Sequence, residues 1–248
     1  MIDLHAHLLP GLDDGAQTLD ESREIARAAV ADGVDAIAAT PHVRSDFPTT
    51  VEQMEAGVSE LRADFDREGI PVHVLHGGEI DLEVLRTLAV ETVRRFTLAQ
   101  TGVYLLIEFP YSGWPLGLDR EIFSLRTAGL TPLLAHPERN REVQAAPARL
   151  EELVRLGARV QVTAASVEGR MGKSSREASF RLLELGLVDV LASDLHTPAI
   201  REARLGAAVG ALKDVGLARY LTEDAPRAIV AGEELPERPA YRRRRFFS

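Results

Sequence analysis

Chemistry is possible in this 248-residue chain where imidazoles and acids recur at matched places: His5, His7, Asp13, Asp14, His42, Glu79, Glu108, His136, Asp194 and His196. His5 and His7 stand two residues apart, and a strand would turn both rings to one side. Each residue alone has an ordinary structural reading. His42 or His136 is a hydrogen-bonded barrel histidine, Glu79 or Asp194 a helix cap, Asp13-Asp14 a turn. Together they form an oxygen and nitrogen donor set that suits Mn, Fe, Zn or Co, and the many imidazoles disfavour Mg. One four- or five-coordinate ion would leave several of these groups as buried, uncompensated charges, so two or three ions fit better. His73, inside an apolar run beside no acid, and His76 read as structural.

Cations held this way lower the pKa of a bound water and deliver a nucleophile to phosphorus or carbon. Arg139 follows His136 by three residues and Arg201 follows Asp194 by seven. Either is a surface arginine by default. Placed at the rim of the site, the pair would grip non-bridging phosphate oxygens, which favours phosphoester over amide hydrolysis. Cysteine is absent, which excludes a thiolate nucleophile, sulfur-ligated metals and disulfides. The two lysines, Lys173 and Lys213, do not follow strand candidates, so a modified lysine bridging two metals is excluded. There is no P-loop, Rossmann fingerprint or Ser-His-Asp nucleophile elbow. The small, glycine-containing loop 163–173 is expected to shape the pocket or supply backbone donors.

The elements that must position these residues recur about every 30 residues as short apolar runs separated by amphipathic stretches, the rhythm of βα units. Strands are expected at 2–5, 34–40, 72–75, 103–109, 130–135, 160–163 and 188–192. Thr18 with Glu21 and Thr50 with Gln53 have capping-box spacing, and Gly69 stops the second helix. A mostly helical region is expected over 82–98. Ser174 with Glu177 opens a later helix, Thr197-Pro198 another, and a short last helix spans 223–230. Nearly every strand ends in a charged or imidazole residue. An open doubly wound sheet gathers its ligand at one crevice, so this distribution favours a closed or nearly closed barrel, in which all strand ends share one face.

The composition, 45% hydrophobic and 27% charged, suits one globular domain. A net charge of -9 argues against general nucleic-acid binding. No run approaches a membrane span, and the first residues lack the pattern of a secretory signal, so a cytoplasmic protein is expected. Domain 1–235 is followed by a tail, 236–248, whose Arg242 to Arg245 and Phe246-Phe247 would touch an anionic surface or remain solvated.

The ordered motifs IDLHAHLLPGLDDG (2–15), ATPH (39–42), GGEI (77–80), LIEFP (106–110), AHPERN (135–140) and SDLH (193–196) resemble the polymerase and histidinol phosphatase (PHP) superfamily. More narrowly, the chain is similar to the bacterial capsule and exopolysaccharide manganese-dependent protein tyrosine phosphatases. The resemblance implies a distorted seven-stranded (β/α)7 TIM-like barrel of PHP type with three divalent ions, manganese foremost. It implies that His5, His7, Asp194 and a bridging Glu79 hold one ion. Glu108 and His136 complete a second site, and His42, His196 and Asp14, favoured over Asp13, hold a third. Arg139 and Arg201 would bind phosphate while a metal-activated water attacks phosphorus in line. The implied substrate is the tyrosine-rich tail of a membrane-associated bacterial tyrosine kinase that controls polysaccharide export. The alternatives are a small-molecule phosphoesterase such as a histidinol phosphatase and, behind it, a non-phosphate metallohydrolase or a regulatory binding protein.

Overall fold

The computed structural model describes residues 1–196 and 205–241. Nine strands are found among these residues: β1 (Ile2–Ala6), β2 (Ala36–Ala39), β3 (His42–Val43), β4 (His73–His76), β5 (Glu79–Ile80), β6 (Tyr104–Glu108), β7 (Thr131–Ala135), β8 (Arg159–Thr163) and β9 (Val190–Ala192). The helices α1 (Leu19–Ala31), α2 (Val51–Glu68), α3 (Leu82–Leu85), α4 (Val90–Arg95), α5 (Leu118–Thr127), α6 (Arg141–Ala145) and α7 (Leu150–Arg155) alternate with them. After β8 come α8 (Ala164–Glu168) and α9 (Lys173–Glu184), and after β9 α10 (Leu205–Leu212), α11 (Val215–Arg219) and α12 (Ala225–Ala231). Strand pairing is parallel in two sheets, ordered β1-β2-β4 and β3-β5-β6-β7-β8-β9.

The fold is therefore α/β with parallel sheets, and the pairing gives two sheets in place of the single seven-stranded one expected. The extra strand ends come from two interruptions. The expected strand 34–40 stops at Thr40-Pro41, and β4 and β5 are separated by Gly77-Gly78. These breaks lie side by side: a Cβ on Gly77 would stand 2.9 Å from the Thr40 methyl, and one on Gly78 would stand 2.7 Å from the Phe96 ring. Only glycine allows so close an approach. On the other side, Asp194 N donates to His5 O and His7 N to Leu195 O, each at 2.8 Å, so the backbone just after β9 lies against β1.

The strands read as continuous apolar runs because both of their faces are covered; β6 and β7 are buried at every residue. Alternate residues join different apolar clusters, Leu106 and Leu133 the smaller, Leu105, Ile107 and Leu134 the larger. In α2, Met54, Val58, Leu61 and Phe65 form the buried stripe, each contributing about 1.5–3 kcal/mol. Its capping box at Thr50 and Gln53 and its left-handed Gly69 stop are as the sequence predicts. Thr18 likewise caps α1 through Glu21 N.

Elsewhere the local signals misled. Region 82–98 breaks into α3 and α4, because the chain between them closes a tight turn in which Thr87 N and Oγ1 both bond Val84 O. Helix α9 begins a residue early, with Gly172 at its N-cap position. Ser174 and Glu177 therefore lie inside the helix and form no capping box. The last expected helix starts in a π-helical turn, Tyr220–Asp224, before α12. The Thr197-Pro198 helix start, Arg201 and the tail from Arg242 to Phe247 lie outside the described residues. No helix among the described residues is long and apolar enough to cross a membrane.

Candidate metal centre

The imidazoles and acids singled out from the sequence meet at the carboxyl ends of the strands. His5 and His7, from the end of β1, face each other with their Nε2 atoms 3.2 Å apart. The Glu79 carboxylate, opening β5 just after the double-glycine break, is fully buried at the centre. Its Oε2 lies 3.2 Å from His5 Nε2, 3.5 Å from His7 Nε2 and 3.0 Å from His42 Nδ1. Its Oε1 lies 2.9 Å from His136 Nε2. Asp194 Oδ1 lies 3.2 Å from His5 Nε2, 3.4 Å from His7 Nε2 and 3.5 Å from His196 Nδ1. His136 and Asp194 each follow a strand with φ of 39° and 57°. Holding non-glycine residues there costs on the order of 1–3 kcal/mol apiece, a strain that collects where side-chain aim matters.

Asp13 and Asp14 divide the early loop between two tasks. Asp13 is buried; its Oδ2 accepts from His7 Nδ1 at 2.7 Å and His42 N at 2.9 Å, and its Oδ1 from Gly15 N at 2.9 Å. It orients the His7 ring and leaves Nε2 free to face the cluster. Asp14 is 55% exposed, and its Oδ1 stands 3.5 Å from the Nε2 atoms of both His42 and His196. Gly15 closes this loop so tightly that a Cβ there would lie 2.4 Å from His7 Cβ.

Electrostatics define what the pocket lacks. Burial opposes ionisation of Glu79, yet the His5, His136 and His42 imidazoles hold its carboxyl well below the usual range. Asp194 is also held well below it, against burial, by His5, His7 and Arg139. In turn Glu79 and Asp194 raise His5, and Asp13, Asp194 and Glu79 raise His7, despite the opposing pull of burial. A proton on either ring would offset part of the negative charge. Glu79 Oε2, Asp194 Oδ1 and His42 Nδ1 are buried without a hydrogen-bond partner. Orphaned donor atoms aimed at one another around a negative centre fit cations, which would replace such a proton.

Among the described residues, three groups bring one ligand atom per residue within 4.8 Å of one another: His5, His7 and Asp194; His5, Glu79 and His136; and His7, Asp14, His42 and His196. Glu108 lies at the margin, its Oε2 3.8 Å from His42 Nδ1 and its Oε1 3.0 Å from Arg44 Nη1. Burial and the Glu79 charge push its pKa up. Arg139 reaches the cluster, with Nη2 2.6 Å from Asp194 Oδ2 and 3.0 Å from Thr163 Oγ1. Its Nε is buried and unbonded. His73 and His76 stand apart, His73 exposed and His76 beside Arg62, as their structural reading requires. Loop 163–173 is half helical, and Thr163 at its start anchors Arg139.

Three contributors escaped sequence reasoning: Gln161, whose Oε1 is 3.1 Å from His5 Nδ1; Arg44, fastened to Asp46 by two 2.7 Å bonds; and the orienting role of Asp13. A polar Gln inside the apolar run of β8 was the available signal for the first. Nothing in the sequence around Arg44 distinguishes it from the other arginines.

An α/β fold that collects buried imidazoles and carboxylates at its strand ends, with an arginine among them, has the architecture of a metal-site protein. The capsular polysaccharide synthesis CpsB/CapC family model matches residues 1–225, and the chain belongs to that family. It is 37% identical over 258 residues to the tyrosine-protein phosphatase YwqE of Bacillus subtilis, with 99% of each chain covered. It is 27% identical over 245 residues to the tyrosine-protein phosphatase CpsB of Streptococcus pneumoniae, covering 93% of this chain and 98% of that one. A crystal structure from work on YwqE and CpsB, described there as unique metal-dependent tyrosine phosphatases, superposes with a TM-score of 0.87 at 36% identity, covering 99% of this chain and 100% of the other. A β-aspartyl dipeptidase from Fervidobacterium islandicum shares the fold alone, with a TM-score of 0.57 at 14% identity over 92% of this chain and 72% of that one.

Proposed function

We propose that this chain is a metal-dependent protein tyrosine phosphatase acting on the phosphorylated tail of a membrane-associated bacterial tyrosine kinase in capsule or exopolysaccharide synthesis. The reading rests on family membership and on one observation: Glu79 and Asp194, both buried, face His5 and His7 with unbonded oxygens. In this reading the two sheets are one barrel of seven βα units. Strands β2 with β3, and β4 with β5, count as single strands interrupted at 40–41 and 77–78, and the bonds from 194–195 to β1 join the ends. Residues 1–235 make up the phosphatase domain and 236–248 a basic tail, and the protein works in the cytoplasm.

The donor set suits three divalent ions, manganese first. His5, His7, Asp194 and Glu79 would hold one, Glu79, His136 and Glu108 a second, and His42, His196 and Asp14 a third. Such ions, when bound, supply Lewis acidity and an activated water. Arg139, anchored by Asp194 and Thr163, keeps its unbonded Nε for a phosphate oxygen. Arg201 is proposed as its partner on the other side of the phosphoryl group. Glu108, paired with Arg44 and 3.8 Å from His42 Nδ1, is proposed to serve catalysis as the ligand that fixes the second ion.

The test is phosphate release by manganese-loaded protein from a tyrosine-phosphorylated kinase-tail peptide, beside a phosphoserine peptide and histidinol phosphate. Preferential release from the kinase tail, reduced about 10- to 100-fold or more by Glu108→Gln, is expected. Preference for histidinol phosphate would move the assignment to a small-molecule phosphoesterase.

A further inference from the structure

Ligand pockets pair apolar and aromatic walls with a few placed polar groups, so aromatic rings at the edge of a polar cluster are candidate ligand contacts. Two aromatic residues flank this one. The Tyr111 ring lies over the His136 imidazole, with centroids 5.8 Å apart and planes 9° from parallel. The Phe47 ring lies over His42 at 5.9 Å and 17°. These two imidazoles approach opposite oxygens of Glu79, His136 at Oε1 and His42 at Oε2. An aromatic ring therefore borders the cluster on each side, carried by the loops after β6 and β3.

The two rings are held differently. Phe47 is partly buried, and the Arg44 guanidinium lies 5.6 Å from its centroid, so its position is tied to the arginine that contacts Glu108. Tyr111 is 52% exposed, yet its backbone is fixed: its carbonyl accepts from Arg141 N at 3.1 Å. The phenol also lies close enough to Arg139 to interact with it, while burial of part of the ring pushes its pKa up. Among the described residues, the other exposed large hydrophobics are Val90, Leu116, Phe123, Met171 and Val215, and none of them stacks on an imidazole of the cluster.

We propose that Tyr111 and Phe47 are the specificity walls of the site, receiving the ring of an aryl phosphate beside the phosphoryl group gripped at Arg139. The inference rests on the phosphatase reading above and deepens it, since it assigns the preference for phosphotyrosine over alkyl phosphates to two named rings. An offset or edge-on aromatic contact favours an aryl group over an alkyl group of similar size. A phosphoserine or histidinol ester presents a methylene at the same place and gains nothing from the walls. Tyr111 acts through its ring, so its hydroxyl is dispensable.

The test is calorimetric binding of phenylphosphonate and the similarly sized cyclohexylphosphonate to the manganese-loaded protein, neither of which the enzyme can hydrolyse. The ratio of their dissociation constants is compared in the wild type, Tyr111→Ala, Tyr111→Phe and Phe47→Ala. The phenyl preference is expected to fall about three- to tenfold in Tyr111→Ala, to survive in Tyr111→Phe, and to fall again in Phe47→Ala. Equal ratios in the wild type and Tyr111→Ala would overturn the proposal, as would an equal loss in Tyr111→Phe and Tyr111→Ala, which would place the effect in the hydroxyl. The phosphatase reading fails separately: phosphonates would still bind with a Tyr111-dependent phenyl preference while a phosphotyrosine peptide went uncleaved.

Discussion

Asp13 and Asp14 are adjacent carboxylates that should respond oppositely to truncation. Asp13→Ala removes the acceptor of three donors, His7 Nδ1, His42 N and Gly15 N, all at 2.7–2.9 Å around a carboxylate that is 5% exposed. Each buried donor left without a partner costs about 1–3 kcal/mol. The three share one carboxylate, so their losses do not add fully. A destabilisation of about 3–4 kcal/mol is expected, read by urea unfolding of the metal-free protein at neutral pH. Asp14→Ala, at a half-exposed side chain whose nearest partners are 3.5 Å away, should change that stability by less than about 0.5 kcal/mol. It should instead weaken manganese binding at the outermost group. The Asp13 carboxyl is held down to about 2, from an ordinary value of 3.8, by His7 and by the His42 and Gly15 amides, against burial. A lowered carboxylate contributes stability above its unfolded pKa and loses it as pH falls through its folded one. The gap between wild type and Asp13→Ala should therefore close between pH 4 and 2. A loss below about 1 kcal/mol in Asp13→Ala, or unaltered manganese stoichiometry and affinity in Asp14→Ala, would refute this division of labour.

Chelation of a metal-loaded preparation should lower Tm, because ions that bind only the folded state add about 2.7 kcal/mol per site at a hundredfold excess over Kd. At this chain length that amounts to about 5–10 °C for one site, and a melting curve unchanged after metal analysis confirms removal contradicts it. Asp3 is pushed by burial to about 6, although its oxygen accepts from the Ser193 and His5 amides. A raised carboxyl contributes stability below its unfolded value of 3.8 and loses it as pH rises through 6. Metal-free protein should lose up to about 3 kcal/mol over that interval from this group, and Asp3→Asn, which keeps an acceptor, should flatten the profile; a stability difference between wild type and Asp3→Asn that is the same at pH 4.5 and 7, from urea unfolding, counts against it.

The sequence made the chemistry more legible than the architecture. His5 and His7 announce themselves because strand geometry makes period-two residues neighbours, and His42, His136 and His196 because each ends or follows an apolar run. Glu108 was visible as a carboxylate at the end of such a run, but its pairing with Arg44 was not. That contact crosses 64 residues of sequence and depends on how the 43–50 loop folds back. Asp13 and Asp14 look alike as a dipeptide and differ only in burial, which tertiary packing decides. The broken helix over 82–98 and the early start of α9 are cases in which a turn contact or a glycine overrode propensity. The strand count was obscured for a similar reason. Thr40-Pro41 and Gly77-Gly78 interrupt two strands within what periodicity reads as single units.

Those interruptions sit beside the centre of the site and leave the strand register unchanged across it. The pairing offset is the same on both sides of the breaks, Ala39↔His76 before them and His42↔Glu79 after them, so the strand register by itself brings His42 opposite Glu79. Gly77 and Gly78 let the backbone pass within contact distance of Thr40 and Phe96 before β5 resumes, and β3 resumes opposite it in the register His42↔Glu79. His42 Nδ1 then comes within 3.0 Å of Glu79 Oε2. The paired breaks, the left-handed His136 and Asp194, and the buried carboxylates each work against stability in the protein by itself. The left-handed residues and the buried carboxylates aim donors at one point, and cations bound there would offset the repulsion among them.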